Sequence, residues 1–136
     1  MKDISYYSTL PDGMTEAELY LEFIEVVGCF ENSECSGYIF LVALSELSER
    51  QWHTYSLLCD KLRGRIENSL KSLWDGRNLE AAQIIVSVIA YLGLEGLFEF
   101  ICSQGSESMS DEVSAEVKSA IAEFGSSVGD PFSGMR

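Results

Sequence analysis

Proline is almost missing from this chain: Pro11 and Pro131 are the only two in 136 residues. Both stand near the ends, so the long interior is free of the strongest helix breaker. Histidine occurs once, at His53, and the cysteines at positions 29, 35, 59 and 102 have no CxxC spacing. That excludes the common zinc patterns. The sequence holds neither the D-x-D-x-D-G loop nor the ExxH pair that calcium and two-metal carboxylate sites need. It also has no glycine-rich phosphate loop. No cofactor and no metal is expected, and the thiols are expected to stay reduced. Residues 1–10 lack the basic start and apolar centre of a signal peptide. The longest nearly apolar run, residues 81–94, falls short of the ~20 residues that span a bilayer. Cytoplasmic localisation is the expectation.

Positive charge is scarce, and unevenly so. No base stands between Lys2 and Arg50, an interval that holds ten acids. With Lys2 counted, residues 1–49 carry a net −9, residues 50–77 carry +3, and residues 78–136 carry −7, for a total of −13. A surface of this sign argues against nucleic acid or an anionic membrane as partner. It quickens encounter with a basic protein, although acidity also serves plain solubility.

What is present is helical pattern. Over residues 79–92, Ala81, Ile85, Val88, Ile89 and Leu92 share one face, which Ala82, Ile84 and Val86 widen. A helix this apolar is a central one, covered on most sides. Ahead of it, residues 1–14 form an N-terminal arm ending in the turn Leu10-Pro11-Asp12-Gly13. Ile4, Tyr6 and Tyr7 are expected to dock there as an extended piece or short strand. Thr15-Glu16-Ala17-Glu18 is a capping box, opening a helix that runs to about Phe30. Tyr20, Phe23, Ile24, Val27 and Phe30 would be its buried face, with Glu18, Glu22 and Glu25 opposite. After an acidic loop at 31–37, a second helix covers about 38–47. Ser48-Glu49-Arg50-Gln51 reads as another capping box. It would open one long helix to Trp74, with Trp52, Tyr55, Cys59, Leu62, Ile66, Leu70 and Leu73 inward.

Asp75-Gly76-Arg77-Asn78 is a turn with Asn78 as the next N-cap, and Gly93 ends the central helix. Residues 94–102 then place Leu97, Phe98 and Ile101 inward. A last helix after Ser110 buries Val113, Val117, Ala120, Ile121 and Phe124 and closes at Gly125. Residues 125–136 read as a flexible tail. The fold class is therefore all-α, with about six helices in antiparallel pairs over a single domain at 15–124. An irregular bundle and a HEAT-like stack of helix pairs both fit, since the unit at residues 70–101 is not repeated at a strict period.

Catalytic signals are weak. His53 falls on the polar side of its helix and has no nucleophile elbow or oxyanion turn beside it. Carboxylates are so abundant that any pair could be picked, and a pair carries nothing without geometry. Cys29 lies beside the Glu18–Glu22–Glu25 stripe, where negative neighbours disfavour a thiolate. The expectation is a protein that is not an enzyme.

Trp74-Asp75-Gly76-Arg77-Asn78 leads into the apolar helix and on to Leu94-Glu95-Gly96-Leu97, within a small acidic all-α chain. In this build the chain resembles the helical immunity proteins of bacterial toxin systems, including contact-dependent growth inhibition. The resemblance implies stoichiometric inhibition of a toxin domain, often a nuclease, whose positive cleft would meet the acids. The partner-binding candidates are the acids of the first long helix and its following loop: Glu16, Glu18, Glu22, Glu25, Glu31 and Glu34. The alternative reading is a small acidic secretion chaperone or adaptor, and an exposed apolar groove would favour it.

Overall fold

A computed structural model describes residues 3–132 of the chain. Among these residues the fold is all-α, with seven α-helices, one 3-10 turn at Ser106–Ser108 and no strand. The helices are α1 (Ile4–Ser8), α2 (Glu16–Glu31), α3 (Gly37–Trp52), α4 (Asp60–Leu73), α5 (Leu79–Leu92), α6 (Glu95–Cys102) and α7 (Asp111–Phe124). The main contacts run α1–α3–α5–α7 on one side and α2–α4–α6 on the other. The α2–α3 and α5–α6 contacts join the two sides. Odd helices thus form one layer and even helices a second, so the chain zigzags between them.

The reason is in the side chains. On α3, Phe40, Ala43, Leu44 and Leu47 are fully buried, and on α5 so are Ile85, Val88 and Ile89. These two most apolar stretches pack on each other as the middle of their layer. The placement of α5 is the one its periodicity predicts, but it shares the centre with α3. Polar side chains fix where helices start. Thr15 and Glu18 form the reciprocal capping box on α2, while Ser36, Asn78 and Ser110 each cap a helix through a side-chain oxygen. Gly93 ends α5 at φ +70°, a conformation only glycine adopts without strain.

The long helix expected over 49–74 is corrected to two helices. Ser48 and Gln51 lie inside α3, both buried, and the Ser48 hydroxyl donates to the Ser45 carbonyl at 3.2 Å. The chain breaks just after Trp52. There the Gln51 amide donates to the Ser56 carbonyl at 3.0 Å, and the Thr54 hydroxyl donates to the Gln51 carbonyl at 2.7 Å. Tyr55 takes φ +59°. These local bonds replace the helical ladder, so Tyr55 and Cys59, expected inward, are exposed, and Leu58 is buried instead. Cys59 is the N-cap of α4.

Other assignments shift by smaller amounts. Residues 4–8 are helical rather than extended, capped by Asp3, with Tyr7 buried. On α2 the buried face is Leu19, Phe23, Val26 and Val27, and Tyr20 faces out. Ile121 is likewise exposed on α7. Residues 125–132, read as part of a frayed tail, lie against the body. Val128 is buried, and the Trp52 indole Nε1 donates to the Pro131 carbonyl at 3.2 Å. The Phe132 ring stacks on Trp52 at 6.2 Å. The remainder of that tail, 133–136, lies outside the described residues.

Candidate partner-binding surface

With no base between Lys2 and Arg50, any cationic partner for the acids of residues 3–49 must come from Arg50 onward, and for some of them it does. Arg50, the first base after Lys2, is buried at the C-terminal end of α3. Its Nη1 donates to the Glu46 carboxylate and to the Glu46 carbonyl, both at 2.9 Å. Its Nη2 donates to the Leu10 carbonyl at 2.7 Å and its Nε to the Pro11 carbonyl at 3.2 Å. Asp12 stands 4.0 Å away, fully exposed. One guanidinium therefore ties the turn before α2 to α3, using the fork of donors that lysine lacks.

Each of the six candidate acids has a distinct setting. Glu18 is spent on its own helix: its carboxylate accepts from the Thr15 backbone N–H and hydroxyl, both at 3.0 Å. The backbone hydrogen bond first, then the hydroxyl, holds its pKa below the usual glutamate value. Glu22 is half-buried under α1 and accepts from the Tyr6 hydroxyl at 2.6 Å. Glu31 at the end of α2 holds Arg65 of α4 through two hydrogen bonds of 2.6 and 3.1 Å. That contact pushes the Glu31 pKa down and the Arg65 pKa up. Glu16, Glu25 and Glu34 are exposed. Glu34 follows a helix end of Schellman type: its N–H donates to the Cys29 carbonyl at 2.7 Å, and Ser33 takes the left-handed position at φ +58°. Burial, followed by nearby Cys29 and Glu34, raises the Cys35 thiol pKa away from the thiolate.

Three exposed apolar side chains missed by the sequence reading adjoin these acids. Tyr20 is 44% exposed, Leu21 67% and Leu57 38%. They line an open groove of about 470 Å³ with Glu16, Ala17, Gln51, Leu58 and Cys59. Its walls are the outer face of α2 and the connection between α3 and α4. At about 100° per residue, Ala17, Tyr20 and Leu21 form a strip with Glu16 on one flank and Glu18 and Glu25 on the other. A signal for Leu21 was available: it stands three residues from Glu18 and four from Glu25, an apolar residue within the polar arc. Leu57 gave none, because its exposure follows from the break after Trp52.

His53 is exposed and borders a separate cleft of about 340 Å³ with Asp12, Thr15, Glu16, Arg50 and Thr54. Among the described residues its imidazole has no hydrogen-bond partner, so the geometry orients no base there. No three His, Cys, Asp or Glu side chains gather as a metal-binding group among the described residues. No described helix is long and apolar enough to cross a membrane. No protein family, no curated protein and no solved structure matches the chain.

Proposed function

We propose that this protein binds and neutralises a basic protein domain one-to-one, as a helical immunity protein does a toxin domain such as a nuclease. The observation that carries the reading is the surface of α2 and its C-terminal turn. Glu16 and Glu34 are exposed there, and α2 contains five acids and no base. Exposed charges of one sign add little to stability but set association rates. Glu18 and Glu22 accept from neutral donors and keep their charge, and Glu31 is offset by Arg65. The second reading, a chaperone or adaptor for an amphipathic segment, is favoured by the apolar groove of Tyr20, Leu21 and Leu57. A folded partner domain in a one-to-one complex separates the first reading from the second.

The test begins with a partner identified by co-purification and its stoichiometry by sedimentation. Stopped-flow association then compares wild type with the Glu16→Lys/Glu34→Lys variant. Glu18 and Glu22 are left in place, because their reversal would break the cap and the Tyr6 contact. Association should slow by about tenfold at 50 mM salt, and the difference should shrink at 500 mM as the screening length falls to roughly 4–5 Å. Equal rates at low salt would remove α2 from the steering surface.

A further inference from the structure

We propose that the groove between α2 and the α3–α4 connection seats the apolar face of a cationic amphipathic helix of the partner. The inference rests on the reading that the partner is basic, and it adds where and how that partner anchors. Six large apolar side chains are exposed among the described residues, and Tyr20, Leu21 and Leu57 of these line this one groove. Scattered exposed leucines are ordinary on a protein surface, whereas a lined concavity with an aromatic wall is a binding feature.

Length and charge select the occupant. The α2 wall from Glu16 to Leu21 rises about 7.5 Å, and an i, i+4 pair of anchors on a docked helix spans about 6 Å. Carboxylates flank the apolar strip on both sides: Glu16 lines the groove, and Glu18 and Glu25 lie beyond Leu21. Of the four bases on α4, Arg65 is held by Glu31, Arg63 by Asp60, Lys71 lies over the Phe100 ring, and Lys61 is exposed one residue past Asp60. An apolar strip between acidic rims complements a helix with leucine-like residues on one face and lysine or arginine beside them. A second copy of this chain, at −13, would bring more acids to the same rims. An anionic lipid surface would do the same.

The experiment uses the full chain and three synthetic 14-residue peptides. The first has leucines at helical spacing with lysines elsewhere. The second is its scramble, with equal charge and no apolar face. In the third, glutamates replace the lysines. Fluorescence anisotropy gives affinities, and amide NMR shifts locate the site. The amphipathic Leu/Lys peptide should bind at least tenfold more tightly than its scramble and shift amides of 16–21 and 57–59. The Leu21→Ser/Leu57→Ser variant should weaken it about tenfold. Leu21→Ala is measured in parallel if the double variant loses its helical circular dichroism.

Equal binding of the scramble, or no effect of the groove substitutions, overturns the groove while leaving the basic-partner reading standing. Equal binding of the Leu/Glu peptide overturns the charge argument, and the basic-partner reading with it. Self-association in sedimentation that Leu21→Ser abolishes would make a second copy the occupant and overturn the proposal.

Discussion

Arg50 joins two stretches far apart in sequence: the turn at Leu10 and Pro11, through their carbonyls, and α3, through the side chain and carbonyl of Glu46. Removing a buried charge partner leaves its acceptors unpaired, which costs more than the pair contributes. Arg50→Ala should lower stability by about 3 kcal/mol in urea unfolding. Asp12→Ala should leave the midpoint where it is, because that side chain is wholly in solvent. Equal effects from the two would mean that the Asp12 pair, and not the buried fork, holds the turn. In the core, Ile89 is fully buried at the centre of α5. Ile89→Ala should cost about 2–5 kcal/mol, a loss that chemical denaturation reads directly. Ile89 was legible in the sequence because periodicity alone marks a core residue. The role of Arg50 was not, because the acceptors that tie it to the turn are the Leu10 and Pro11 carbonyls, about forty residues away.

Helix α5 and its two caps could be read from the chain because Asn78 and Gly93 act on neighbours three and four residues away. The α3–α4 break could not. The letters Ser48 to Gln51 satisfy a capping-box pattern, and the inward spacing of Trp52, Tyr55, Cys59 and Leu62 runs on without interruption. What breaks the helix is a set of side-chain bonds among Gln51, Thr54 and Ser56, and the burial of Leu58 in place of Tyr55. Helix α6 and its buried face were legible, but what satisfies its first turn was not. Its N-cap Leu94 makes no side-chain cap, and Glu67 of α4 accepts from the Leu97 N–H at 2.7 Å across thirty residues. The segment after α7 is the third case, packed by Val128 and Pro131 against elements distant in sequence. Deleting residues 126–136 should lower stability by about 2 kcal/mol or more from Val128 alone. It should also shift Trp52 emission to the red, since that indole loses Pro131 and Phe132. An unchanged melting curve and spectrum would show that the segment adds nothing to the fold.

Across the whole molecule, the two-layer arrangement follows from helical periodicity plus short connections, and the excess of acid follows from composition. How the acids divide between structure and solvent needs the fold. Glu31 is on the structural side, paired with Arg65, and its pKa is lowered chiefly by the hydrogen bonds from that guanidinium. A carboxylate with a lowered folded-state pKa favours the native state fully above its unfolded value, near 4.5, and loses that contribution as pH falls through the folded value. The pair is partly exposed, so screening keeps its contribution within about 1 kcal/mol. Glu31→Gln should therefore be slightly less stable than wild type at pH 6, in low salt. The gap should begin to narrow as pH drops below 4.5 and close once pH is below the lowered folded-state value, where wild-type Glu31 is neutral like the glutamine. Relief of self-repulsion also acts in this range, as the net charge approaches zero near the isoelectric point of about 4.3. That relief is common to both proteins, so the difference between their unfolding midpoints isolates the pair. Thermal melts at half-unit steps from pH 6.5 to 3.5 give the curve. A gap that stays constant to pH 3.5 would assign the effect of the substitution to packing of the Glu31 side chain rather than to its charge.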